Sequence, residues 1–295
     1  MIPERLKAAV PWWAKLAAKL VLSRLPLDYS VWARANLFRH GSMDRPDRAL
    51  EVFSALHAVA VARAALPEGL AVLELGPGDS LLGSIAAWGF DAGRILACDV
   101  GPFAVTTLEA LRELDRLLRA RGLRPLPLEG AASAEDALAR MNVTFFTRGL
   151  EDLRTLPEAS MDLVWSTAVL EHIRLRELGA TLAALARVLK PEGIMVHGVD
   201  FSDHLGGALN NLRFAPQLWE AEWFARSGFY TNRVAPSELL DLFGQAGLTV
   251  EVVQRQTWPA IPTPRRALHP AFRHRSDEDL TSRGLLLAAR RAREA

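Results

Sequence analysis

Residues 72–80 read Val-Leu-Glu-Leu-Gly-Pro-Gly-Asp-Ser, an apolar run entering a Gly-x-Gly turn, and a helical stretch follows from Leu81 to Ile85. This feature constrains the chain more than any other. Glycines where a strand turns into a helix let the backbone approach a ligand closely and set the helix N-terminus against it. A second apolar run ends in Cys98-Asp99-Val100, where an acidic side chain would face a ribose diol. The two parts together are far more specific than a lone glycine pair.

From residue 70 onward, short β-rich runs alternate with helical stretches, the pattern of a parallel sheet with crossover helices. Strands are expected at residues 71–75, 94–98, 143–147, 161–166, 193–199, 248–254 and 284–289. Helices are expected at 106–121, at 168–189 as a long crossover, and at 236–246, the last closed by Gly247. The fold class is therefore α/β, a doubly wound Rossmann-like sheet. A helical cap over residues 1–65 precedes the main domain at 66–295. Pro26 ends the cap's first helix, residues 38–41 form a turn, and a second helix runs from about 46 to 65. Residues 201–235, with Trp219, Trp223, Phe224, Phe229 and Tyr230, replace a short crossover after the fifth strand. Ligands bind outside the carboxyl ends of such strands, so this insertion is placed to close over the crevice from the substrate side.

Composition narrows the classes. With 295 residues and 50% apolar content the chain can bury a full core without disulfides or metals. Lys and Arg number 35 against 34 Asp and Glu, so a net charge of +1 offers no broad attraction to nucleic acid. Cys98 is the one cysteine, which excludes a disulfide framework and a cysteine zinc site and fits a reducing, cytoplasmic setting. Lys15, Lys19 and Arg24 interrupt the apolar segment 10–25, so it is no transmembrane span. As an amphipathic helix it either packs Trp12 and Trp13 on the main domain, the preferred reading, or lies peripherally on a membrane.

Leu81 stands where a dinucleotide fingerprint needs its third glycine, which argues against a nicotinamide cofactor. Glu74, at the end of the first strand, suits a ligand with a positive charge near the turn. Further along come Glu151-Asp152-Leu153 with Leu156-Pro157, then residues 161–166, Val169-Leu170-Glu171-His172-Ile173, and Lys190-Pro191-Glu192-Gly193. In order and spacing, residues 70–200 resemble the class I S-adenosylmethionine-dependent methyltransferases. That resemblance implies S-adenosyl-L-methionine as cofactor, with Glu74, Gly76, Pro77, Gly78 and Ser80 in the first motif and Asp99 with Val100 at the ribose. It also implies adenine-side contacts from Leu150, Glu151 or Asp152, and Ser166 at the end of the fourth strand. Ser80 departs from the family's usual third glycine. A fainter resemblance, through Leu25-Pro26-Leu27, residues 38–41 and Tyr230-Thr231-Asn232-Arg233, is to methyltransferases of surface-polysaccharide pathways.

Methyl transfer is an in-line displacement, and a hydroxyl acceptor needs a base. His172 follows the fourth strand, and His197, Asp200, Asp203 and His204 follow or end the fifth. His172 or His204 is the expected base, with Asp200 or Asp203 orienting it. Neither cysteine nor a tight His-x-x-x-His pair supports a metal, so none is expected. Asn232 and Arg233 are candidate acceptor contacts, and Arg265, Arg266, Arg273 and Arg275 form a basic run that suits either phosphate or solvent. The expected activity is methyl transfer to an oxygen of a small molecule or glycan intermediate. Its rivals are a methyltransferase-like protein that binds without turnover and a nicotinamide-dependent oxidoreductase.

Overall fold

The computed structural model describes residues 11–22 and 43–292. The helix end at Pro26, the turn at 38–41 and the Leu25-Pro26-Leu27 motif lie outside the described residues. Seven strands form one sheet: β1 (Leu70–Leu75), β2 (Ala92–Cys98), β3 (Val143–Phe146), β4 (Met161–Thr167), β5 (Leu189–Asp200), β6 (Leu248–Thr257) and β7 (Ser282–Arg291). Their order is β3-β2-β1-β4-β5-β7-β6. The first five are parallel, whereas β7 runs antiparallel between β5 and β6. This is a doubly wound, Rossmann-like α/β sheet with one antiparallel strand, and all seven expected strands are present.

Alternation along the strands divides the core. Val72, Ile95, Leu163, Trp165 and Val196 face one helical layer: α2 (Pro46–Val61), α3 (Leu82–Gly89) and α4 (Leu108–Ala120). The first described helix, α1, is Trp12–Leu22. Leu73, Leu96, Val164, Met195 and Leu287 face the opposite layer. α5 (Ala134–Arg140) packs in the first layer through Ala134 and Ala137, whereas the helices of the second are α6 (Leu150–Thr155), α7 (Leu175–Val188) and α8 (Pro236–Gln245). Such two-sided burial is what a mostly parallel sheet requires, and it explains the near-continuous apolar character of β1 and β4.

Three details depart from the sequence reading. First, α5 and α6 were not anticipated; Ser133 caps α5 by accepting from Asp136 N (3.2 Å), a local signal in a polar stretch. Second, the crossover helix starts at Leu175 rather than 168. Ala168 has φ +53°, and Asn232 Nδ2 donates to the carbonyls of Leu170 (2.7 Å) and Ile173 (3.1 Å), holding those residues out of the helix. Third, only half of the tryptophan pair packs inward. Trp12 meets Phe214 edge to face at 6.1 Å, whereas Trp13 is 60% exposed.

The insertion folds as short helices around its own core of Leu205, Trp219, Phe224, Phe229 and Tyr230, against which Trp12, Leu16 and Leu20 of α1 pack. It therefore ties the described part of the cap to the carboxyl end of β5. Among the described residues no helix is long and apolar enough to cross a membrane.

Candidate functional site

The carboxyl ends of β1, β2 and β4 converge on the Gly-x-Gly turn. Gly76 (φ +70°) and Gly78 (φ +67°) both occupy the left-handed region, which a side chain disfavours. A Cβ on Gly76 would lie 2.5 and 2.6 Å from the Cγ atoms of Val169, so the turn packs directly on the segment after β4. Hydrogen bonds continue the sheet past its strand ends: Gly76 N donates to Cys98 O (2.8 Å), and Gly149 N to Asp99 O (2.8 Å). Pro77 is buried within the turn, and Ser80 Oγ accepts from Leu82 N at 3.2 Å where α3 begins.

Asp99 accepts from Gly78 N (3.0 Å) and Val100 N (2.7 Å), which holds its carboxylate against the turn. Val100 beside it is 77% exposed, an apolar side chain at the mouth. Leu150, half-buried at the start of α6, reaches this mouth because Gly149 (φ +54°) comes close; a Cβ there would stand 3.0 Å from Val100 Cγ1. Glu151 is exposed and ion-paired with Arg148 (2.9 Å). Asp152, by contrast, is buried and accepts from Thr147 N and Arg148 N, a structural cap of the same turn. Asp99→Ala should remove the turn's anchor and any hydrogen bonds that its carboxylate accepts from a bound ligand. Hydrogen bonds to charged groups contribute about 1.5–3 kcal/mol, so affinity for a hydroxylated ligand seated at this turn should fall by about 10–150-fold in a calorimetric titration. Undiminished affinity would remove Asp99 from the site.

Glu74 is buried on the α3 side of the sheet and hydrogen-bonded by Ser84 Oγ. Burial, with a smaller contribution from Asp99, pushes its carboxyl up to about 8, so it is mostly protonated at neutral pH. Among the described residues no cation pairs with Glu74, and a buried acid of that kind is poised for a cation that arrives with a ligand. Binding of an ammonium-bearing ligand should ionise Glu74 and release a proton below about pH 8. Titrations in buffers of different ionisation enthalpy should show that release in the native protein and lose it in Glu74→Gln; identical heats in all buffers would contradict this role.

Ser166 is buried and hydrogen-bonded to His197 Nδ1 at 2.8 Å. His197 lies fully inside the sheet layer, where burial pushes its imidazole down to about 4, so it is neutral. The other two histidines come together. His172 and His204 stack with ring centroids 4.8 Å apart, and their Nε2 atoms are 3.1 Å apart. His172 Nδ1 lies 2.9 Å from Tyr230 O, which can only accept, so Nδ1 carries the hydrogen. One proton therefore lies between the two Nε2 atoms. Reduced hydration and Lys19 lower the His204 pKa, against the opposing pull of Asp200 and Asp203, although the residue retains contact with solvent. Glu171, next in chain, is buried with its carboxyl pushed up to about 8, and its Oε1 accepts from Asp200 N (3.3 Å).

Asp203 is fully engaged in its own loop, accepting from Leu205 N (2.8 Å), Gly206 N (2.6 Å) and Asn210. That leaves Asp200 as the carboxylate at the end of β5. Arg233 is nearly enclosed by the insertion, with Nη1 on Phe214 O (3.0 Å) and its guanidinium 5.0 Å from the Trp219 ring, a packing role. Most of the basic run is spent internally: Arg265 pairs with Asp277, Arg275 with Glu238 at 2.9 Å, and Arg273 Nε donates to Leu268 O at 2.9 Å, whereas Arg266 is exposed. Among the described residues no group of three or more His, Cys, Asp or Glu could hold a metal.

Sequence reasoning did not find Val169, Gly149 or Ser84 as partners of the turn, because nothing local marks a long-range contact. It also missed a cleft of about 530 Å³ between α2 and the carboxyl ends of β4, β5 and β6, where β7 begins.

Residues 127–197, from the approach to α5 through most of β5, match the family model described as a methyltransferase domain. The match covers about a quarter of the chain and likens that segment to a methyltransferase domain. No curated protein matches the chain. Among solved structures, the YcgJ protein from Bacillus subtilis is similar at 16% identity and TM-score 0.44, over 84% of this chain and 100% of that one. An S-adenosylmethionine dependent methyltransferase from Mesorhizobium loti is similar at 18% identity and TM-score 0.43, over 83% and 100%. The CurJ carbon methyltransferase is similar at 13% identity and TM-score 0.45, over 83% of this chain and 54% of that one.

Proposed function

We propose that the protein transfers a methyl group from S-adenosyl-L-methionine to an oxygen of a small molecule or glycan intermediate. The observation that carries this reading is the joint placement of Glu74, Gly76, Gly78 and Asp99 around one mouth at the ends of β1 and β2. When bound, the cofactor supplies an electrophilic methyl group on a sulfonium. Asp99 holds the ribose hydroxyls, Glu74 meets the ammonium, and Val100 with Leu150 gives apolar walls to the base. The two glycines of the turn hold left-handed conformations that present backbone rather than side chains to a ligand. Ser166 and Glu151 stand farther out, the first as a brace within the sheet and the second at the rim.

The preference for oxygen comes from the histidine pair. A hydroxyl acceptor must lose its proton as it attacks, and a neutral imidazole matches that task near pH 7. A proton taken by His204 is shared with His172 through their 3.1 Å contact, and the Tyr230 carbonyl holds the far end of the pair. Asp200 and Asp203 favour the resulting cation. The net charge of +1 gives no reason to expect a nucleic-acid acceptor.

Incubation with methyl-labelled cofactor and size-fractionated small-molecule and glycan pools tests the reading. Label should enter a low-mass or glycan fraction as a base-stable methyl ether or a base-labile ester. Label only on nitrogen, or no transfer to any pool by protein that binds the cofactor, would contradict it.

A further inference from the structure

We infer that the cleft beside α2 binds a hydroxylated small molecule carrying one carboxylate or phosphate, and that Arg283 grips the anionic group. Its volume of about 530 Å³ suits a small-molecule site. One side is apolar, with Val52 and Leu56 from α2 and Leu286 from β7; the other presents Thr167, Gln254 and Gln256, neutral groups suited to hydroxyls.

Arg283 is set apart by its backbone and by its charge. In the β6–β7 ladder Gln256 pairs with Gly284 and Thr257 with Ser282, so Arg283 is the extra residue of a bulge. Bulges re-aim a side chain and are frequent beside active sites. The arginines around it are all paired: Arg48 with Glu51 (2.8 Å), Arg63 with Glu251 (2.6 Å) and Arg255 with Glu278 (3.1 Å). Among the described residues no carboxylate pairs with Arg283. Asp200 also lines the cleft and accepts from Ser202 N (2.8 Å), so it adds an acceptor for a ligand hydroxyl.

The cleft is joined to the turn through the end of β4. Thr167 and Ala168 line it, and the next residue, Val169, is the one packed on Gly76. Ala168 holds φ +53° there, a conformation unusual for a residue with a side chain, fixed by its N–H donating to Gly198 O at 2.9 Å. That the bound molecule is the methyl acceptor rests on the proposed function; that the cleft selects an anion does not.

Three probe pairs test the selection by ligand-detected NMR and calorimetry: glucuronate against glucose, glucose 6-phosphate against glucose, and 4-hydroxybenzoate against 4-hydroxybenzyl alcohol. In at least one pair the anion should bind ten times more tightly than its neutral partner. Arg283→Gln should erase that preference and Arg283→Lys restore part of it, while the pair with the larger effect tells carboxylate from phosphate. Absence of preference in every pair, or preference that survives Arg283→Gln, would overturn the inference. S-adenosylhomocysteine is titrated into the same samples. Its binding without any anion preference defeats the cleft assignment alone, whereas anion preference without its binding defeats the cofactor reading alone.

Discussion

Gly76→Ala should reduce S-adenosylhomocysteine affinity by more than about 100-fold, the largest effect expected from a single methyl group in this protein. The backbone at Gly76 has φ +70°, where a side chain costs about 1–2 kcal/mol. The new methyl would also stand 2.5 Å from Val169, and overpacking of that kind costs about 1–3 kcal/mol. The turn can escape both only by moving, and it then carries Gly78 away from Asp99. Gly76→Ala combined with Val169→Ala should recover thermal stability in part, since it relieves the clash and leaves the dihedral strain. Native affinity in Gly76→Ala would show that the turn does not touch the cofactor.

His204→Ala should lower kcat by about 10²–10⁴-fold, the usual contribution of a positioned general base. Cofactor affinity should stay unchanged, because the pair lies at the ends of β4 and β5 rather than at the Gly-x-Gly turn. His172→Ala should show a similar loss, and the double variant should be little worse than either, since the two rings share one proton. The pH dependence follows from the sign of the shift at His204. Its pKa is lowered from the ordinary 6.5, so the ring is neutral at pH 7 and the rate should fall only below the pH at which a free imidazole titrates. Losses under threefold in both single variants, or an acid limb above 6.5, would contradict the base assignment.

Local signals in the sequence carried the parallel half of the fold. Val72 to Leu75 and Met161 to Ser166 are buried on both faces and read as apolar runs, and Gly247 closes α8 with φ +77° as its position in the chain suggests. The cofactor side was legible for the same reason, because Glu74, Gly76, Gly78 and Asp99 lie at strand ends that the apolar pattern marks. The acceptor side was not. The direction of β7 depends on where β6 leaves it room, and the bulge at Arg283 depends on the register of that pairing. The contact between His172 and His204 depends on Tyr230, brought from the insertion 58 residues away. Asp203 and Arg233 look chemically available in the sequence, yet the fold spends them on a loop and on ring packing.

Calorimetric titration with S-adenosylhomocysteine, with NADH in parallel, tests the central claim most directly. Saturable binding of the first, lost in Gly76→Ala and weakened in Asp99→Ala, with no binding of NADH, is the predicted result. Binding of NADH in its place, or S-adenosylhomocysteine binding indifferent to both substitutions, would contradict the assignment of this turn to a methyl donor.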